Sequence, residues 1–151
     1  MAVKRQAGLL AILLVALVVM AEPAVAQDLS GEWTFKRRAR EGWHTGTLVI
    51  DVGGQVRQKG RNPFQDYSQC GHVVAAEGKV EIVFTSVKSK HGYSIDHFYC
   101  TMQGKSALSC FNIDGIGKED DLFHLERVGG IPASPEGRMD DICPARERPQ
   151  V

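Results

Sequence analysis

The sequence predicts an all-β domain, a sandwich or a barrel, made with a cleavable export leader. Short segments alternate apolar and polar residues and are broken by glycine turns at roughly ten-residue spacing. No stretch beyond the leader keeps a helical period between caps, so helix should be scarce. All four cysteines, Cys70, Cys100, Cys110 and Cys143, lie beyond the leader. An even count in an oxidising compartment reads as disulfides.

The leader is residues 1–26. Lys4 and Arg5 open it, Leu9 to Met20 is unbroken apolar sequence, and Ala24-Val25-Ala26 is a small-x-small cleavage site. That order is a secretory signal peptide, cut before Gln27. The apolar run is shorter than the roughly 20 residues that span a bilayer, so contact with the membrane is expected only during export. No cysteine stands at the cleavage site to take a lipid. Localisation in a periplasm or outside the cell follows. The absence of an Asn-x-Ser/Thr sequon fits the first of these.

The chain has 151 residues, with 18 Lys+Arg and 18 Asp+Glu. Removing Lys4, Arg5 and Glu22 with the leader keeps the balance near zero. What remains suffices for one domain with a modest core, expected as a monomer. A neutral exported chain has no global field to draw in nucleic acid.

Eight strands are expected, at Gly31–Lys36, Thr45–Val52, Gln55–Gly60, Gln69–Ala76, Lys79–Val87, Ser94–Met102, Ala107–Asp114 and Leu122–Val128. Leu48, Ile50 and Val52 share one face of the second. A two-residue turn at Gly53-Gly54 would mix core and solvent faces across the hairpin. A three-residue loop, Gly53-Gly54-Gln55, sets Val52 against Val56, with a glycine at positive φ. Centring the later turn, Gly104-Lys105-Ser106, on Lys105 puts Met102 opposite Leu108 and Cys100 opposite Cys110. Cross-strand Cβ atoms ~4.5–5.5 Å apart need little adjustment to close a disulfide. Cys100–Cys110 is the first of three connectivities, and Cys70–Cys143 follows by elimination. From Gly129 the composition turns to glycine, proline and charge. Residues 129–151 are expected to form a loose tail beyond a barrel domain at 27–128, unless Cys143 tethers it.

Gly31-Glu32-Trp33 opens the first strand and Leu125-Glu126-Arg127-Val128 lies in the last. A Gly-x-Trp start with an arginine in the final strand resembles the lipocalin and calycin barrels. Small periplasmic protease inhibitors share such a start. The resemblance covers about Gly31 to Val128. It implies an antiparallel up-and-down barrel of about eight strands, closed at one end by Trp33 with Arg127 across its ring. A cation over an indole face contributes roughly 0.5–2 kcal/mol.

Strand geometry decides among the chemical motifs. Gly104-Lys105-Ser106 lacks the earlier glycine of a phosphate loop, where Tyr99 stands, and a strand follows instead of a helix. Ser94, Asp96 and His97 supply the residue types of a hydrolase triad, but Asp96 and His97 are neighbours on an expected strand and face opposite ways. Cys70 and His72 share a face, yet no paired ligand spacing completes a zinc site. No catalytic, metal or cofactor site is expected. Lys36-Arg37-Arg38-x-Arg40 is the densest basic run. Trp43 and His44 follow it, and Arg57, Lys59 and Arg61 lie on an adjoining strand. These residues are a candidate patch for an anionic polymer or an envelope protein. The barrel interior, with Phe84, Ile95, Tyr99, Phe111, Ile113 and Phe123 as its large apolar candidates, is either packed or a pocket for a small apolar or amphipathic ligand. Ligand binding without catalysis is the first functional expectation, and inhibition or envelope interaction through loops or the basic patch is the alternative.

Overall fold

A computed structural model describes residues 29–113, 122–131 and Cys143. The expected signal peptide, residues 27–28, residues 114–121 with the expected end of the seventh strand at Asp114, and the remainder of the tail lie outside the described residues. Eight strands run in order: β1 Gly31–Ala39, β2 Gly42–Ile50, β3 Gln55–Arg61, β4 Asp66–Ala76, β5 Lys79–Ser89, β6 His97–Met102, β7 Ala107–Asn112 and β8 Phe123–Gly129. Each pairs antiparallel with the next, and β1 pairs with β8. The protein is therefore a closed, all-β, up-and-down barrel. Closure removes the sheet edges that an open sheet would have to protect. The sixth strand starts three residues later than expected, at His97, and the first runs on to Ala39.

Two hairpins show how closely sequence sets register. Across β6 and β7, Cys100 faces Cys110 and Met102 faces Leu108, as the turn centred on Lys105 requires. Cys100 and Cys110 form a disulfide, and Cys70 is joined to Cys143. Such bonds mark an oxidising, extracytoplasmic setting. Across β2 and β3 the expected pairing is displaced by one residue on the loop: Ile50, not Val52, faces Val56. Val52 is 61% exposed. The loop is Val52-Gly53-Gly54, odd in length as anticipated, with Gly54 at φ 80°. Asp51 decides it. Its Oδ1 accepts hydrogen bonds from the backbone N–H of Gly53 and Gln55, and its backbone closes against Gln55 and Gly54. An aspartate that folds its own following residues into a turn leaves the strand.

The interior has an apolar half and a polar half. Trp33, Phe35, Leu48, Ile50, Val56, Val80, Ile82, Phe84, Phe98, Cys100, Leu108, Cys110, Phe123 and Leu125 form the apolar core, with Leu29 over its end. Each large aliphatic or phenyl group so buried is worth about 1.5–3 kcal/mol. Phe98 sits at the centre, edge-on to Phe84 and Phe123 at 5.3 and 5.0 Å.

Phe84 and Phe123 lie inside, but three other candidates for the interior do not. Ile95 and Phe111 are exposed, and Tyr99 lies on the outer face between His97 and Phe111. Ile113 is half-buried. The reason is parity. With Cys100 and Cys110 inward, Tyr99 and Phe111 must point out.

One close approach ties the core to the polar half. Gly60 faces Tyr67 across β3 and β4, and a Cβ there would lie 2.4 Å from the Tyr67 ring carbon that bears the hydroxyl. The ring cannot swing away, because it is buried and stacked 3.9 Å from Tyr93. Gly60→Ala is therefore expected to destabilise the barrel by about 1–3 kcal/mol, the usual range for overpacking. A shift in the urea midpoint with unchanged slope would register it; an unshifted midpoint would refute it.

Candidate functional site

The basic run divides between the two sides of β1. Lys36 and Arg38 point outward, and Arg40 is exposed in the β1–β2 turn. Arg37 does not belong to the patch: it is 2% exposed and lies inside the barrel. Consecutive residues of a strand face opposite sides, so a run of cations cannot form one face.

The outer patch is completed from strands distant in sequence. Lys36 stands beside Thr45, Thr45 beside Arg61, and Thr47 beside Lys59. Ser68 follows Lys59 in the next strand. An open groove of about 460 Å³ lies here, lined by Thr45, Thr47, Lys59, Arg61, Asp66 and Ser68 over the backbone of Gly46 and Gly60. Trp43, 52% exposed, stands at one end of β2. The Lys36 Nζ lies 4.6 Å from its ring centre and the Arg38 guanidinium 6.0 Å. The indole thus holds both β1 cations upright at the rim. Arg61 pairs with Asp66 in full solvent, where such a pair adds little stability. That pairing keeps the Arg61 pKa raised and the Asp66 pKa lowered, in both cases through their hydrogen bond first. Arg57 lies in the next row along β3, half-buried beside Cys70.

Inside, Arg37 belongs to a polar network that sequence patterning did not reveal. Asp96 is its hub. The Arg37 Nη2 and the Asn112 amide donate to Oδ1 at 3.0 and 2.7 Å. The Gln69 amide and the Tyr93 hydroxyl donate to Oδ2 at 2.7 and 3.0 Å. The Asp96 N–H returns a bond to Gln69 Oε1, and Gln69 also donates to Gln58. Burial is the largest influence on the Asp96 carboxyl and leaves its pKa raised, against the downward pull of Arg37 and its three other donors. Four donors aimed at one carboxylate suit its ionised, acceptor-only form. Burial is the largest influence on Arg37 and works against its charge, but Asp96, Tyr93 and Tyr67 together outweigh it and the pKa of Arg37 is raised.

His44 extends the network to the rim. Its Nε2–H donates to Glu41 at 2.7 Å, which leaves Nδ1 to accept from the Tyr67 hydroxyl at 3.2 Å. Tyr93 accepts from Arg37 at 2.8 Å. Burial pushes Tyr67 up to about 12 and raises Tyr93 as well, so both phenols remain donors. Tyr93 comes from the β5–β6 connection, which Gln65 fastens through His91 and Gly92. This end of the barrel is filled by hydrogen-bonded side chains.

Burial first, and the nearby Arg37 second, lower the pKa of His44 against the pull of Glu41. The folded state thus prefers the neutral ring, while the unfolded chain takes up a proton near pH ~6.5. The unfolded state binds more protons below that value, so His44 costs nothing above it and destabilises progressively as pH falls. Urea unfolding at pH 8 and pH 5.5 should show a smaller acid loss in His44→Gln than in the parent. Equal losses would remove His44 as the cause.

The remaining motifs resolve simply. His97 faces outward, 3.2 Å from Glu81, while Asp96 faces inward, so they form no relay. Cys70 is in a disulfide and offers no thiolate beside His72. Gly104-Lys105-Ser106 is a hairpin turn, with Gly104 at φ 75°. Trp33 and Arg127 face each other across β1 and β8, the guanidinium 4.7 Å from the indole centre.

Fold and surface together define the class: a small disulfide-bonded antiparallel β-barrel with a closed polar end and a basic outer face. No protein-family model matches the chain, and no curated protein matches it. Among solved structures it is similar to a de novo designed fluorescence-activating β-barrel, at 14% identity and a TM-score of 0.48, over 69% of this chain and 97% of that one. At that score the likeness adds nothing to the strand order described above.

Proposed function

We propose that this is an exported binding protein of the periplasm or extracellular space, with no chemistry of its own, that engages an anionic partner through the outer face of β1–β3. The observation that carries the reading is an open groove lined by Lys59 and Arg61 of β3, with Lys36 of β1 beside its Thr45 wall and Arg38 further along β1 beside Trp43. The chain as a whole is neutral. Its cations are therefore gathered here by the fold, not supplied by composition. Interactions between exposed charges are screened within about 8–10 Å at ordinary salt, so binding must fall as salt rises. Retention on heparin should weaken with salt and drop sharply in K36E/R38E. Reversal of the remote turn residue, Lys105→Glu, should leave it unchanged. Equal retention of K36E/R38E and the parent would end the proposal. Arg37 is not used in this test because its loss would act on stability.

A small apolar or amphipathic ligand in the barrel mouth is the second reading. Gln58 favours it: the side chain is fully buried, and its amide nitrogen meets no hydrogen-bond partner among the described residues. A ligand carrying an acceptor could satisfy that donor. Native mass spectrometry of protein from its own host would show the added mass, and unliganded protein throughout would count against it.

A further inference from the structure

Resting on the proposal of a basic outer face, we infer that the groove takes an extended anionic polysaccharide lying along β2. The cations form two lines. Lys36 and Arg38 stand two residues apart on β1, and Lys59 and Arg61 stand two residues apart on β3. Successive outward residues on a strand are ~6.6–6.8 Å apart, and β1 and β3 lie one strand to either side of β2, ~9.5 Å from each other. Between the lines, β2 presents Thr45 and Thr47, with Ser68 beyond β3. The two lines are offset by one row: Lys36 faces Arg61 across Thr45, Lys59 stands beside Thr47, and Arg38 stands at the other end beside Trp43. The result is a trough with a hydroxyl floor and staggered cationic rims, the first of them packed on Trp43.

That composition selects the occupant. Carboxylate or sulfate groups projecting to both sides of a chain meet the rims, and sugar hydroxyls exchange hydrogen bonds with the threonines, which both donate and accept. An acidic peptide would bind an exposed strand by completing its backbone hydrogen bonds, but every strand of this barrel is already paired on both sides. A membrane surface needs an apolar element to insert beside the charges. Of the exposed aromatic residues nearby, Trp43 is engaged with Lys36 and Arg38, and Phe64 in the β3–β4 turn is a single side chain where membrane docking uses a broad apolar face. Among the described residues, Asp66 is the one opposing charge lining the groove, and it occupies Arg61.

Four probes test this on the full processed chain: heparin oligosaccharides, polygalacturonate, poly-glutamate and phosphatidylglycerol vesicles. The two polysaccharides should bind, and poly-glutamate and vesicles should bind at least about tenfold more weakly at equal charge. K59E/R61E should lower polysaccharide affinity by about tenfold or more, and Asp66→Asn should raise it about two- to threefold by releasing Arg61. T45V/T47V should weaken polygalacturonate several-fold while leaving its salt dependence unaltered. Circular dichroism and urea midpoints confirm that each variant is folded. If poly-glutamate or vesicles bind as tightly as the polysaccharides, and K59E/R61E abolishes that binding, the basic face survives and the polysaccharide assignment falls. Should K59E/R61E bind every probe like the parent, both fall.

Discussion

Replacing Asp96 by alanine lowers the unfolding free energy by about 3–5 kcal/mol, the cost of stranding a buried charge. Arg37 would keep its positive charge at 2% exposure with its carboxylate gone. The amides of Asn112 and Gln69 and the Tyr93 hydroxyl would each lose the acceptor they now reach within 3.0 Å. Urea denaturation with the disulfides intact measures the loss. Asp96→Asn separates its causes. It keeps the shape and one acceptor oxygen but removes the charge, so a cost close to that of alanine assigns the effect to the ion pair. R37M/D96L removes both charges and should cost less than D96A alone, since a vanished pair leaves no naked ion. It should not reach parental stability, because Gln69 and Asn112 remain without their hub. A D96A cost under about 1 kcal/mol would show that the mouth relaxes freely, and the reading of a tightly filled end would fail.

That network bears on function because of where it lies. Tyr93 and Asp96 come from the β5–β6 connection, Arg37 from β1, His44 from β2, Tyr67 and Gln69 from β4. Asp96 thus ties β1, β4 and β7 to that connection, and His44 adds β2 through Arg37 and Tyr67, at the end through which a ligand would enter. Apart from the Gln58 amide nitrogen, an apolar molecule approaching there meets hydrogen-bonded polar groups, and separating them exposes donors and acceptors at ~1–3 kcal/mol each. The outer groove asks for no such rearrangement.

The features legible in the sequence are those fixed by a period of two and by short turns. Cys100 and Cys110 could be paired because three turn residues and alternation leave little choice of register. Trp33 and Arg127 were visible because a tryptophan and an arginine at opposite ends of the strand region make an uncommon pattern, and the structure sets one over the other. The errors have a shared cause. Arg37 was grouped with its neighbours by charge, although alternation separates it from Lys36 and Arg38. Tyr99 and Phe111 were placed inside by hydrophobicity, although the inward cysteines on either side put them out. Gln58, Gln69, Asp96 and Asn112 passed unnoticed because an inward polar residue has no periodic signature of its own. It takes its meaning mostly from partners far away in the chain, up to 59 residues for Arg37 and Asp96. The bulge between Cys70 and Gly71, which makes Thr85 the extra residue of β5, changes the inward parity partway along that strand. Inward positions are Val80, Ile82 and Phe84 before it, and Val87 and Ser89 after it, opposite Gln69 and Tyr67.

Trp33→Ala carries the second large effect, a loss of about 3–5 kcal/mol, at the other end of the barrel. The indole is 1% exposed, and its Nε1–H donates to the Leu29 carbonyl at 2.9 Å. Leu29 is itself fully buried, so that one bond holds the residues before β1 across the barrel floor. Alanine removes the ring, the tether and the surface on which Arg127 rests. Trp33→Phe keeps most of the apolar volume while losing the donor and weakening the cation contact, and should cost about half as much. A double-mutant cycle of Trp33→Phe with Arg127→Met isolates the contact across β1 and β8. A coupling of about 0.5–2 kcal/mol is expected for a guanidinium against an indole. A coupling near zero would mean that the seam between first and last strands is held by backbone pairing and Leu125 packing alone. In that case, Arg127 would be a surface residue leaning on the ring and not part of the barrel's closure.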